Sequence, residues 1–193
     1  MIRGFWYQLD NVGDKLTPYL IRKIFDDEPE LSDIPPRWFM GGSVGHHLKN
    51  GDIVCGVGTF EGTSFAPCVE AIAVRGPMTA QSLNLSCLFG DAGLLLPHFY
   101  QPPKRERKGL GIVPHYVDYD WCRYNGLQNI VDVRQDVEQF IDDVTQYAII
   151  ASSSLHGIVI AEAYGIPVVR VRFPTSSRIA SFDYKHLDYY LGT

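Results

Sequence analysis

The sequence predicts an α/β protein of two units, each a parallel sheet covered by helices. Three observations carry this. Short apolar runs alternate with amphipathic segments along most of the 193 residues, the pattern of strand–helix–strand units. The alternation breaks at "HFYQPPKRERK" (98–108), which holds two prolines and five charges. Glycine and polar residues recur just after the apolar runs, where ligands sit in open parallel sheets. The expected domains are 1–97 and 109–193, with 98–108 as a solvated linker.

The elements follow in order. "IRGFWYQ" (2–8) reads as a first strand. "KLTPYLIRKIFDD" (15–27) has Leu16, Leu20, Ile24 and Phe25 at helical spacing, with Pro18 in a first turn that tolerates it. "RWFM" (37–40) and "DIVCGVG" (52–58) are further strands. "AIAVRGPMTAQSL" (71–83) is a strand breaking into a helix, with Pro77 near its start. "SCLFGDAGLLLP" (86–97) is a strand and turn. Beyond the linker, "LGIVPHY", "NIVDV", "AIIASS" and "IPVVRV" read as strands, and "DVEQFIDDVTQY" and "SLHGIVIAEAYG" as helices.

Composition narrows the function. The net charge is −5, so no basic field is available for nucleic acid. The four cysteines form no CxxC pair, which argues against structural zinc. No run of about 18 apolar residues spans a membrane, and "MIRGFWYQLD" is too short and too polar for a signal peptide. These features describe a soluble, cytoplasmic protein with free thiols.

The motif with most chemistry is "SSSLHGIVIAEAYGIP" (152–167). Ser153 or Ser154 is placed to cap the following helix, whose first N–H groups lack partners and attract anions. Gly157 allows close approach to the backbone. His156 sits in the first turn, where an imidazole either moves a proton or binds phosphate; the bland alternative is a plain capped junction. "DNVGDKLTP" (10–18) places Asp10, Asn11, Gly13 and Asp14 between a strand and a helix. It is no GxGxxG fingerprint, and Asp14 also reads as an ordinary acidic cap. "GGSVGHH" and "GVGTFEG" are glycine loops without a following GK[ST]. His46 and His47 read as surface histidines lacking a third metal ligand. Arg75, beside Gly76, reads as a clamp for a carboxylate or phosphate.

Taken in order, "NVGDKLTPYL", "GG", "IVCGVG", "VRGPMT", "GDAGLLLP", "IVPHYVD" and "SSSLHGIVIAEAYGIPVV" resemble the polysaccharide pyruvyl transferase family, from about residue 8 to 190. The resemblance implies two Rossmann-like domains in a GT-B-like arrangement. It also implies transfer of a pyruvyl group from phosphoenolpyruvate to two hydroxyls of a sugar, as a cyclic ketal, in exopolysaccharide or cell-surface glycan biosynthesis. His156 and Asp14 then become the catalytic pair. Asn11, Gly13, Arg75, Ser153, Ser154 and Gly157 become substrate-binding residues. Phosphoenolpyruvate is a donor substrate, so neither cofactor nor metal is implied; the other partner is a free or lipid-linked saccharide, and an oligomer stays open. Many members carry arginine where this chain has Ser154, which transfers the donor's charge to Arg75, Arg170 or Arg172. Members also continue beyond "KHLDYYLGT", which implies a C-terminally shortened chain. The alternatives are a GT-B-type glycosyltransferase using a nucleotide sugar, against which no acidic residue is clearly placed for a ribose and the candidate Glu162 reads as partly buried, and a non-catalytic shortened sugar-binding homologue.

Overall fold

The computed structural model describes residues 1–178 and 182–193. The chain divides into two compact units: 1–9, 13–92 and 183–193 form the first, and 10–12 with 93–182 the second. The expected boundaries of 1–97 and 109–193 differ from these chiefly at the C-terminus, where 183–193 counts with the first unit.

In the first unit, β1 (Ile2–Gly4) leads to α1 (Val12–Phe25), then β2 (Pro29–Leu31), β3 (Trp38–Phe39), β4 (Ile53–Val57), β5 (Glu70–Val74), α2 (Pro77–Leu83) and β6 (Leu88–Phe89). The strands form a six-stranded sheet in the order β2-β1-β3-β4-β5-β6, with every pairing parallel. Helix α1 begins at Val12, earlier than its periodicity predicts, so Pro18 lies inside the helix rather than in its first turn. Leu16 and Leu20 are buried as expected, but Ile21 takes the core position and Ile24 faces out. Phe39, Val44, Val54, Val57, Val74 and Leu83 close one core cluster.

The second unit runs through α3 (Leu96–Phe99), β7 (Leu110–Val113), α4 (Tyr119–Tyr124), α5 (Val137–Val144), β8 (Ile149–Ser152), α6 (Leu155–Ala163) and β9 (Val168–Arg170). Its sheet is β7-β8-β9, also parallel. The expected strand "NIVDV" contributes only a single bridge, Ile112 to Ile130. Ile158, Val159, Ile160 and Ala161 are all fully buried, so α6 is apolar all round, as a helix enclosed by its neighbours must be. The segment 98–108 is anchored within this unit. Arg107 donates to the carbonyls of Tyr164 and Gly165 at 2.9 and 3.2 Å, satisfying groups at the C-terminus of α6 that lack helical partners.

A last helix, α7 (Phe182–Gly192), completes the first unit with residues 183–193. The N-cap of helix α2 is Gly76, which has no side chain to cap it. Asp188 supplies the cap instead: Oδ1 accepts from the Met78 and Thr79 amides at 2.9 and 3.0 Å, and Oδ2 accepts from Thr79 Oγ1 at 2.6 Å. Asp188 is fully buried, and a Cβ on Gly76 would lie 1.8 Å from its carbonyl oxygen. Asp188→Ala is therefore expected to cost about 2–4 kcal/mol, through a lost cap and a stranded Thr79 hydroxyl. Asp188→Asn, which keeps one acceptor, loses less. Thermal melting of both variants checks this.

Candidate functional site

At the carboxyl edge of the first sheet, the glycine loops interlock around one arginine. Arg75 follows β5 and is fully buried. Its Nε donates to Asp91 Oδ2 at 3.1 Å, Nη1 to Ser43 Oγ at 3.0 Å, and Nη2 to the Gly42 carbonyl at 2.6 Å. A Cβ on Gly58 would stand 2.1 Å from Nη1, so the guanidinium lies flat against the "GVG" loop. The Gly58 amide in turn donates to the Gly42 carbonyl, and the Gly45 amide to the Gly58 carbonyl. The sequence reads Arg75 as a clamp on an anionic substrate. The structure gives it a buried carboxylate and two loop acceptors of its own.

Asp14, 7% exposed, lies in the first turn of α1. Gly42 has φ +76°, and a Cβ there would come within 3.3 Å of Asp14 Oδ1. The second glycine of "GGS" thus lets the loop turn directly over this carboxylate. Gly13 belongs with Asp14 to the first unit, whereas Asn11 belongs to the second. Residues adjacent in the motif are divided between the two units.

The carboxyl edge of the second sheet is organised by Asp118, a residue that no local motif singles out. Asp118 Oδ2 accepts from Ser153 Oγ at 2.8 Å, and Oδ1 accepts from the Ser176 amide at 2.8 Å. Ser153 Oγ also accepts from the His115 amide at 2.8 Å. The loops after β7, β8 and β9 are therefore tied through one buried carboxylate and one buried hydroxyl. Ser153 is engaged in this knot, and Ser154 is the residue that caps α6, accepting from the Gly157 amide at 3.4 Å. Gly157 admits the protein's own atoms: a Cβ there would lie 2.5 Å from both Ser152 Oγ and Val113 Cγ1.

His156 stands in the first turn of α6, as predicted, but it is only 8% exposed. It is not the open surface histidine that its position suggests. Arg170 is half-buried with its guanidinium 5.4 Å from the Phe182 ring centre. Glu162 is exposed rather than partly buried, which removes the objection its helical position raised. All four cysteines are free thiols. Among the described residues no helix is long and apolar enough to cross a membrane, and no group of three or more His, Cys, Asp or Glu gathers as metal ligands would.

The three-loop knot allows a direct test. Asp118→Ala removes the acceptor of two buried donors and is expected to cost about 2–5 kcal/mol. Because Ser153 adjoins the cap of α6, amide hydrogen exchange in 152–157 should quicken more than in α5. Uniform change across the unit would show that Asp118 has no special hold on this loop.

The two parallel α/β units carry glycine and polar loops at their carboxyl edges, the place where open sheets of this kind bind ligands. The family follows from comparison: a model described as polysaccharide pyruvyl transferase matches residues 11–172, and the chain belongs to that family. It is 26% identical over 200 residues to the uncharacterized protein L143 of Acanthamoeba polyphaga mimivirus, covering 93% of this chain and 69% of that protein. It is 28% identical over 149 residues to the succinoglycan biosynthesis protein ExoV of Rhizobium meliloti (strain 1021), covering 71% of this chain and 45% of that protein. The chain thus spans less than half the length of the second relative. No solved structure matches it.

Proposed function

We propose that this chain transfers the pyruvyl group of phosphoenolpyruvate to two hydroxyls of a saccharide, forming a cyclic ketal during exopolysaccharide or cell-surface glycan biosynthesis. The observation that carries the reading is the family match over residues 11–172, which takes in both the "NVGD" and the "SSSLHG" motifs. The succinoglycan role in the name of one relative supports an exopolysaccharide setting. The GT-B-like arrangement belongs to this proposal, as do a cytoplasmic location, a free or lipid-linked acceptor and the absence of a cofactor.

In this reading the donor's charge is met at the N-terminus of α6, where Ser154 caps the first turn and free N–H groups favour an anion. His156 gives a proton to the donor's methylene carbon, which leaves a cationic centre for the hydroxyls to attack. Asp14 takes a hydroxyl proton. Asn11, Gly13 and Ser154 contact substrate, while Arg75, Ser153 and Gly157 hold the loops that do so. The test is inorganic phosphate release from phosphoenolpyruvate with a panel of p-nitrophenyl hexopyranosides, and the ketal identified by mass. Nucleoside diphosphate release from a nucleotide sugar instead would establish the glycosyltransferase alternative. Turnover of neither donor would leave a binding protein.

A further inference from the structure

The amino edge of the first sheet carries a cavity of its own. It holds about 420 Å³ and is lined by Ile2, Arg3, Glu30, Pro36, Trp38 and Ile53, with Met1 at its rim. All of these lie at or near the amino ends of β1, β2, β3 and β4. Ile2 and Arg3 pair with β2, whereas β1 and β3 share only the pair Gly4 to Trp38. The two strands therefore part toward their amino ends, and the cavity opens there. Strand β4 is five residues long, which at 3.3 Å per residue sets this edge roughly 16 Å from the loops around Arg75.

The lining combines an apolar floor with polar groups of both kinds. Ile2, Pro36 and Ile53 supply the floor. Trp38 is half-buried and braced by Phe25, with ring centres 4.9 Å apart. Arg3 and Glu30 are register partners across β1 and β2. Their side chains approach only to 3.8 Å and are 43% and 46% exposed, so the pair is an ion contact rather than a hydrogen bond. Among the described residues, the side chains of Arg3, Glu30 and Trp38 make no hydrogen bond.

The charges here cancel in pairs. Arg3 faces Glu30, and the Met1 ammonium meets Asp27 at 2.9 Å. An anionic ligand is opposed by Glu30 and a cationic one by Arg3; an uncharged ligand meets neither penalty. A guanidinium only donates hydrogen bonds and a carboxylate only accepts them, so the ligand must offer both functions on nearby atoms. Neighbouring hydroxyls of a sugar do so, and the C–H face of a sugar ring packs well on an indole. The volume also lies within the range of about 300–1,000 Å³ found for small-molecule sites with an apolar lining and few polar groups.

We propose that this cavity is a saccharide-binding site, which takes an uncharged sugar ring against Trp38 and holds its hydroxyls with Arg3 and Glu30. It binds the sugar without altering it, and it stands whether or not the chain transfers pyruvate.

The test is an NMR titration of the chain labelled with nitrogen-15 tryptophan. Its three indole N–H signals are assigned by Trp38→Phe, or by elimination with Trp6→Phe and Trp121→Phe. The probes are the methyl pyranosides of glucose, galactose and mannose, with lactose and cellobiose. At least one should move the Trp38 signal saturably, with a Kd of about 1–10 mM for a ligand of about a dozen heavy atoms. Arg3→Ala and Glu30→Ala change exposed side chains and should keep the wild-type melting temperature. Each should weaken sugar binding by about 10-fold, through loss of a hydrogen bond to a charged group. Inorganic phosphate should leave the Trp38 signal in place. The site is overturned if no sugar moves that signal at tens of millimolar, if both alanine variants bind as wild type does, or if phosphate shifts it equally. These readouts need no turnover, so their failure leaves the pyruvyl-transfer reading intact, and absence of phosphate release leaves this site intact.

Discussion

Replacing Arg75 with alanine is expected to lower stability by about 3–5 kcal/mol, because it leaves the Asp91 carboxylate buried without its ion-pair partner. Both side chains are fully shielded from solvent and joined at 3.1 Å. The loss extends to Ser43 and the Gly42 carbonyl, which the same guanidinium binds. For a chain of this size the melting temperature should fall by about 10 °C or more. Arg75→Met with Asp91→Leu removes the charge pair together and should recover much of the stability, as buried pairs replaced by apolar groups often do. A substrate clamp predicts the opposite pattern. Arg75→Ala would then keep its melting temperature while KM for phosphoenolpyruvate rose.

Arg75 shows where reading the sequence runs out. An arginine after a strand and before a glycine looks alike whether it meets a ligand or a buried aspartate. Its partner Asp91 stands 16 residues away, and only tertiary packing brings the two together. The same holds for Asp118, whose partners Ser153 and Ser176 are distant in sequence. What was legible was local. The apolar run of β8, the serine cap and the glycine after α6 mark a strand-to-helix junction, and Ser154 does cap that helix. Strand β2 leaves no apolar run in the sequence because "PEL" is a short, polar edge strand, of the kind that sheets use to blunt their margins. Helix α7 carries no amphipathic signal because its polar residues are spent inward. His186 and Asp188 are fully buried while Leu187 and Leu191 are exposed, which reverses the pattern that signals an amphipathic helix. His46 and His47 read as surface residues, yet both are half-buried; nothing in the local sequence shows that the Tyr7 hydroxyl lies 3.0 and 2.9 Å from their Nε2 atoms.

His156→Gln is expected to lower pyruvyl transfer by about 100- to 10,000-fold in kcat while the protein stays folded. Glutamine keeps a polar donor of similar length but does not titrate near neutral pH, so it separates proton transfer from anion binding. Alanine is the poorer probe. With only 8% of His156 exposed, truncation opens space beside a helix whose next residues are wholly buried. A cost of about 1–3 kcal/mol is expected, larger than the half kilocalorie its first-turn position alone suggests. Melting and turnover should be measured on both variants and expressed per folded molecule. If His156 moves the proton, Gln and Ala lose turnover alike although only Ala is clearly destabilised. If it holds phosphate through a neutral N–H, Gln retains much of kcat and Ala raises KM for phosphoenolpyruvate. If it is a packing residue of α6, activity per folded molecule survives in both and only stability separates them. The Ser154 cap fixes the first turn of the helix in every case, so Ser154→Ala should shift stability by about 1 kcal/mol and, through its substrate contact, raise KM rather than reproduce the kcat loss of His156→Gln.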